Sequence, residues 1–143
     1  MVRVVHFLTA AVVFAAAPAW ADIGTVKRVA GSAHVVRAKV QSVAVPGTKL
    51  EVGDTLVTQR DGRIAVTFVD DSRFSVGPDS RVVLTSFEFD GATHKGKSST
   101  RVEKGTLAII SGQIAHENPK GMTVQTPTSI LGVRGTRFVV RVK

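Results

Sequence analysis

The segment GATHKGKS, Gly91–Ser98, satisfies the pattern G-x-x-x-x-G-K-[ST] at every required position. In that pattern backbone N–H groups cradle nucleotide phosphates, and the loop opens into a helix whose N-terminus faces them. The next residues, STRVEKGTLAIIS, carry β-branched Thr100 and Val102, and Gly105 arrives within two turns, so no sustained helix is expected. A phosphate loop also needs a parallel sheet with crossover helices, and no helical pattern is evident. The segment therefore reads as a solvated hairpin loop carrying a small basic group, His94, Lys95 and Lys97.

Other chemistries find less support. Serines are plentiful, but no G-x-S-x-G elbow occurs and cysteine is absent. His34, His94 and His116 are widely separated and lack the spacing that sets two imidazoles on one metal; His34, between apolar neighbours, reads as an ordinary strand histidine. Asp70, Asp71 and Asp79 lie close in sequence, yet a calcium site needs about six converging oxygens, and turn initiation explains these three. No catalytic, cofactor-binding or metal-binding residue is expected, and no cofactor. The charged residue of most interest is Arg134, between Gly132 and Gly135, where a tight backbone can present a guanidinium outward for bidentate pairing. The same arginine can instead fold back onto loop carbonyls. Arg134, Thr136 and Arg137 form the candidate partner-binding set.

The elements that must position these residues are strands. Ile64, Val66 and Phe68 alternate with Arg63, Ala65 and Thr67, and the pattern continues through Phe74, Val76, Val82, Leu84, Phe87 and Phe89. Turn signals such as Pro46–Gly47, Gly53–Asp54, Asp61–Gly62, Gly77–Pro78 and Asp90–Gly91 interrupt every eight to twelve residues. Nothing reads as a helix. The expected fold is all-β: a compact, twisted β-sandwich or roll, or a short β-solenoid, of eleven or twelve short strands. DSRFSVGP at Asp71–Pro78 is followed by DSRVVLTS at Asp79–Ser86, a repeat that suits successive hairpin arms or solenoid rungs.

Met1–Arg3, an apolar run to Ala17, Pro18 and the small-x-small Ala19–Trp20–Ala21 form a secretory signal pattern. Residues 1–21 are expected to be a cleaved leader and 22–143 one domain, exported to the periplasm or beyond, without stable membrane insertion. With no cysteine there is neither a lipid-attachment site nor a disulfide, so the domain relies on its own core. After cleavage eighteen Lys and Arg face eleven Asp and Glu. Outside the inner membrane that balance suits anionic polymer, anionic lipid or an acidic protein surface. No basic run exceeds Lys27–Arg28, which argues for a diffuse field over a dedicated groove. The only Trp lies in the leader and Tyr is absent, which counts against nucleic acid and tight sugar stacking.

The closing text TPTSILGVRGTRF, Thr126–Phe138, resembles the end of the FecR-type domain. LEVGDTLVT at Leu50–Thr58, GRIAVTFVDDSRFSVGPDSRVVL at Gly62–Leu84 and VEKGTLAII at Val102–Ile110 resemble the same family in its usual order. The resemblance implies a compact twisted β domain in bacterial envelope signalling. In the best-known relatives that domain comes after a cytoplasmic region and a transmembrane helix; here a leader stands in their place. The expectation is a stand-alone, non-enzymatic module, a sensory or regulatory accessory that engages an envelope protein. The alternative is a binding module for anionic envelope polysaccharide or cell-wall material.

Overall fold

Period-two burial governs the architecture. In β6 (Arg63–Phe68) Ile64, Val66 and Phe68 are buried while Arg63 is exposed and Ala65 and Thr67 are half-buried. In β7 (Arg73–Val76) Phe74 and Val76 are buried, and in β8 (Arg81–Phe89) Val82 and Leu84 are. Strands of this kind must turn one face to a shared core. The computed structural model describes residues 21–133 and 137–143; all but the last residue of the expected leader, and Arg134 and Thr136, lie outside them.

The remaining strands are β1 (Gly24–Ala30), β2 (Ala33–Arg37), β3 (Val40–Val43), β4 (Lys49–Leu50), β5 (Thr55–Thr58), β9 (Gly96–Ile110), β10 (Met122–Gln125), β11 (Ile130–Gly132) and β12 (Arg137–Val142). They join into one curled, half-barrel sheet with two wings that share β9. Wing A runs β4–β1–β6–β7–β9–β12, using the second part of β9. Wing B runs β3–β2–β5–β8–β9–β10–β11, using the first part. Every pairing is antiparallel except β9 with β10.

The change of wing along β9 occurs at Gly105, whose φ is +89°. A Cβ there would stand 2.5 Å from Ser80 Cα, so an L side chain meets both strain and a clash. Ser80 is held against this bend: its Oγ accepts from Thr106 N at 3.0 Å and donates to Pro78 O at 3.0 Å. Between the wings lie Val26, Leu50, Leu56, Leu107 and Ile109, all buried. Phe68 meets Phe74 edge-on at 4.5 Å and stacks on Phe87 at 5.5 Å.

Two sequence readings change. A short helix, α1 (Gln113–Glu117), does form. It is too short for helical periodicity to reveal it, and tertiary contacts hold it. The carbonyl of Asp70 accepts from Gln113 N at 2.7 Å, and Asp71 Oδ2 accepts from Gln113 Nε2 at 2.7 Å. The DSR repeat, in turn, is neither a hairpin nor a pair of rungs. Its copies supply β7 and β8, which do not pair with each other but flank β9 on different wings.

Candidate functional site

The outward face of wing A collects the basic residues that the sequence scatters. Across β12, β9, β7, β6 and β1 one register row reads Val139–Ala108–Ser75–Ala65–Arg28. Its middle members are small, so the row forms a floor. The neighbouring row reads Arg137–Ile110–Arg73–Thr67–Thr25. On the other side of the floor stand Arg141, opposite Thr106, and Arg63, opposite Ala30. A register shift between Val26 and Arg28 places Lys27 and Arg28, both exposed, at the end of the floor. A β-bulge is what lets two successive side chains share one surface. The result is a trough made of two adjoining depressions, one of about 660 Å³ bordered by Arg73 and Arg137 and one of about 590 Å³ bordered by Arg63. Both are lined by Lys27, Arg28, Ala65, Ser75 and Ala108.

No strand segment of wing A contains Asp or Glu. Among the described residues, Lys27, Arg28, Arg63, Arg73, Arg137 and Arg141 make no ion pair. The reading of a diffuse field is thereby corrected: strands distant in sequence bring six cations to one face. Sequence spacing hides this because the pairings that align residues 28, 65, 75, 108 and 139 are long-range.

Wing B handles charge differently. Arg81 Nε lies 2.7 Å from Glu103 Oε2, and Arg101 Nη2 lies 3.5 Å from Glu103 Oε1. At the end of β2, Arg37 forks onto buried Asp54, with Nε to Oδ1 at 2.8 Å and Nη2 to Oδ2 at 2.7 Å. Asp54 Oδ2 also accepts from Glu51 N at 2.8 Å. The hydrogen bond to Asp54 raises the Arg37 pKa above its ordinary value. Neither partner stood out in the sequence; Gly53–Asp54 registered only as a turn.

The basic loop is a hairpin tip between β8 and β9, not a phosphate loop. Asp90 Oδ1 accepts from Ala92 N at 2.9 Å and Thr93 N at 3.4 Å. Those backbone donors, Ala92 first, hold the Asp90 carboxyl below the usual aspartate pKa. His94 stacks on Phe89 at 6.3 Å, and Lys95 and Lys97 are exposed. This group lies on wing B, apart from the trough, whereas Arg137 borders the trough.

The remaining candidates do not converge. Asp70 is buried and accepts from Ser72 N at 3.1 Å and Ile114 N at 3.4 Å, which ties α1 to the β6–β7 turn. His34 is half-buried in β2, and its Nδ1 has no hydrogen-bond partner among the described residues. No group of three or more His, Cys, Asp or Glu among the described residues is placed to hold a metal. No helix among them is long and apolar enough to cross a membrane.

A small all-β half-barrel that displays charge along an open face is suited to contact across its surface. The family model described as FecR protein matches residues 54–143, more than half of the chain, and the chain belongs to that family. FecR domains are typically regulatory or sensory in envelope signalling. Neither a curated protein nor a solved structure matches the chain. The strands before the matched span are integral to the sheet, since β1 pairs with β6 and β2 with β5.

Proposed function

We propose that this chain is an exported, non-enzymatic accessory of envelope signalling, cleaved after residue 21, that engages a protein partner outside the inner membrane. The observation that carries the reading is the position of β12. Its six residues pair with β9 alone among the described strands, so its other side is a free edge. An edge of that length is a template for strand addition, in which main-chain hydrogen bonds give affinity and alternate side chains give selectivity. Arg137, Val139 and Arg141 are exposed along it. Arg134 and Thr136, just before β12 in sequence, complete the proposed contact set.

In-cell photo-crosslinking tests this. A photoreactive residue at Val139, which is 65% exposed, should trap a discrete envelope protein, and Arg137→Glu should reduce the adduct. The same probe at Thr85, exposed on β8 in wing B, should not trap it. Equal adducts from both positions, or none from Val139, would remove the edge from the proposal. Periplasmic fractionation with N-terminal sequencing checks export: a mature start at Asp22 is expected, and an intact cytoplasmic chain would overturn it.

A further inference from the structure

We infer that the outward face of wing A is a binding trough for a linear acidic glycan, which reaches from β12, where it shares Arg137, Val139 and Arg141 with the free edge, across to β1. Shape is the first ground. The floor crosses five strands, about 19 Å at the usual inter-strand spacing, and Arg137 and Arg141 are about 13 Å apart along β12. A trough of that size takes a single extended polymer strand. A flat bilayer surface does not enter it, and although Val139 is exposed at one end, the middle of the floor, Ala65, Ser75 and Ala108, offers a folded partner no large apolar anchor.

Chemistry narrows the occupant further. Five of the six cations are arginines, whose planar forks match carboxylate groups bidentately. Those cations make no internal ion pair among the described residues, so binding an anion there breaks none. Interleaved with them are the hydroxyls of Thr67, Ser75 and Thr106, suited to the neutral hydroxyls of a sugar. A polymer presenting carboxylates and hydroxyls in alternation meets both sets. A nucleic acid would call for exposed aromatic platforms, and the aromatic of β12, Phe138, alternates with outward Arg137 and Val139 and packs half-buried against the core. Without stacking, the affinity comes from charge and hydrogen bonds, so it weakens as salt rises.

The test uses the protein purified from its producing cells, with polygalacturonate as the carboxylated linear glycan and dextran as the neutral one. Binding to polygalacturonate at low salt and none to dextran is expected. Arg63→Glu with Arg73→Glu should weaken binding about tenfold or more. Lys97→Glu with Arg101→Glu changes the net charge by the same amount on wing B and should alter it by no more than about twofold. Urea midpoints for both double variants, expected near that of the parent, separate lost binding from lost fold. Equal losses from the two pairs would overturn the trough and restore a diffuse field. Tighter binding to phosphatidylglycerol vesicles would overturn the glycan and assign the face to a membrane. Equal binding to polyphosphate would remove the glycan from the inference. Arg63 and Arg73 stand on β6 and β7, away from β12, so loss of glycan binding in their double variant with an unchanged Val139 crosslink, or the reverse, lets either reading fail alone.

Discussion

On wing B, Arg81 and Arg101 share Glu103, and Arg37 closes a fork on Asp54. On wing A, Arg63, Arg73, Arg137 and Arg141 stand in strands that contain no acidic residue. The two outer faces belong to one curled sheet, so the difference is not one of fold. It concerns where charge is satisfied. Wing B pairs Glu103 and Asp54 with arginines of its own strands, whereas wing A leaves its cations to solvent and to whatever anion arrives. Clustered like charge is tolerable because neighbours such as Arg73 and Arg137 are two strands, about 10 Å, apart, a distance comparable to the screening length.

The largest effect should come from damage to the joint on which both faces depend. Gly105→Ala adds a Cβ at φ +89° within 2.5 Å of the Ser80 backbone. Left-handed strain and overpacking together should cost about 3 kcal/mol. Urea unfolding should show the loss, and polygalacturonate binding should weaken alongside it if β9 aligns the trough. A stability unchanged by this variant would mean that the β9 bend does not set the angle between wings.

A smaller effect separates the faces themselves. Asp54→Ala leaves Arg37 and Glu51 N without their acceptor, a change expected to cost about 2 kcal/mol, below the usual range for a buried pair because Arg37 is partly exposed. Arg73→Ala, by contrast, removes an exposed cation with no ion pair among the described residues and should move stability by less than about 0.5 kcal/mol. Chemical denaturation of the two variants side by side measures the contrast. Comparable losses would show that the wing A cations serve the fold.

The sequence revealed what depends on near neighbours. The alternation at Ile64, Val66 and Phe68 and at Phe74 and Val76 told which side chains are buried, and the Pro and Gly turns lie between strands as expected. The expectation of an all-β sandwich, roll or short solenoid of many short strands rests on that periodicity, and the curled half-barrel is all-β with many short strands. What could not be read was long-range pairing. Nothing local indicates that Asp79–Ser86 crosses to the other wing, or that Arg28 and Val139 end one row. The cationic face escaped for the same reason, as did the Arg37–Asp54 fork, whose partners lie seventeen residues apart. A fuller clue was present in composition: the segments that became wing A strands, counting β9 from Gly105 on, lack acids, a bias visible only once strands are assigned to wings.

The smallest effect tests the contrast at the hairpin tip of wing B. Asp90 is fully exposed, yet backbone donors from Ala92 and then Thr93 favour its ionised form and lower its pKa. A carboxyl whose folded pKa lies below its unfolded value adds stability above the unfolded pKa and loses it as pH falls through the folded one. Carboxyl-detected NMR should therefore find the Asp90 midpoint below that of an ordinary aspartate, with the Ala92 and Thr93 amides shifting in the same narrow range. Amides of Ser75 and Ala108, in wing A strand segments without acids, should stay nearly constant there. An ordinary midpoint would mean that the loop does not keep these bonds in solution. Large shifts at Ser75 and Ala108 would mean that a carboxylate reaches wing A after all, and that its cations are already partly paired.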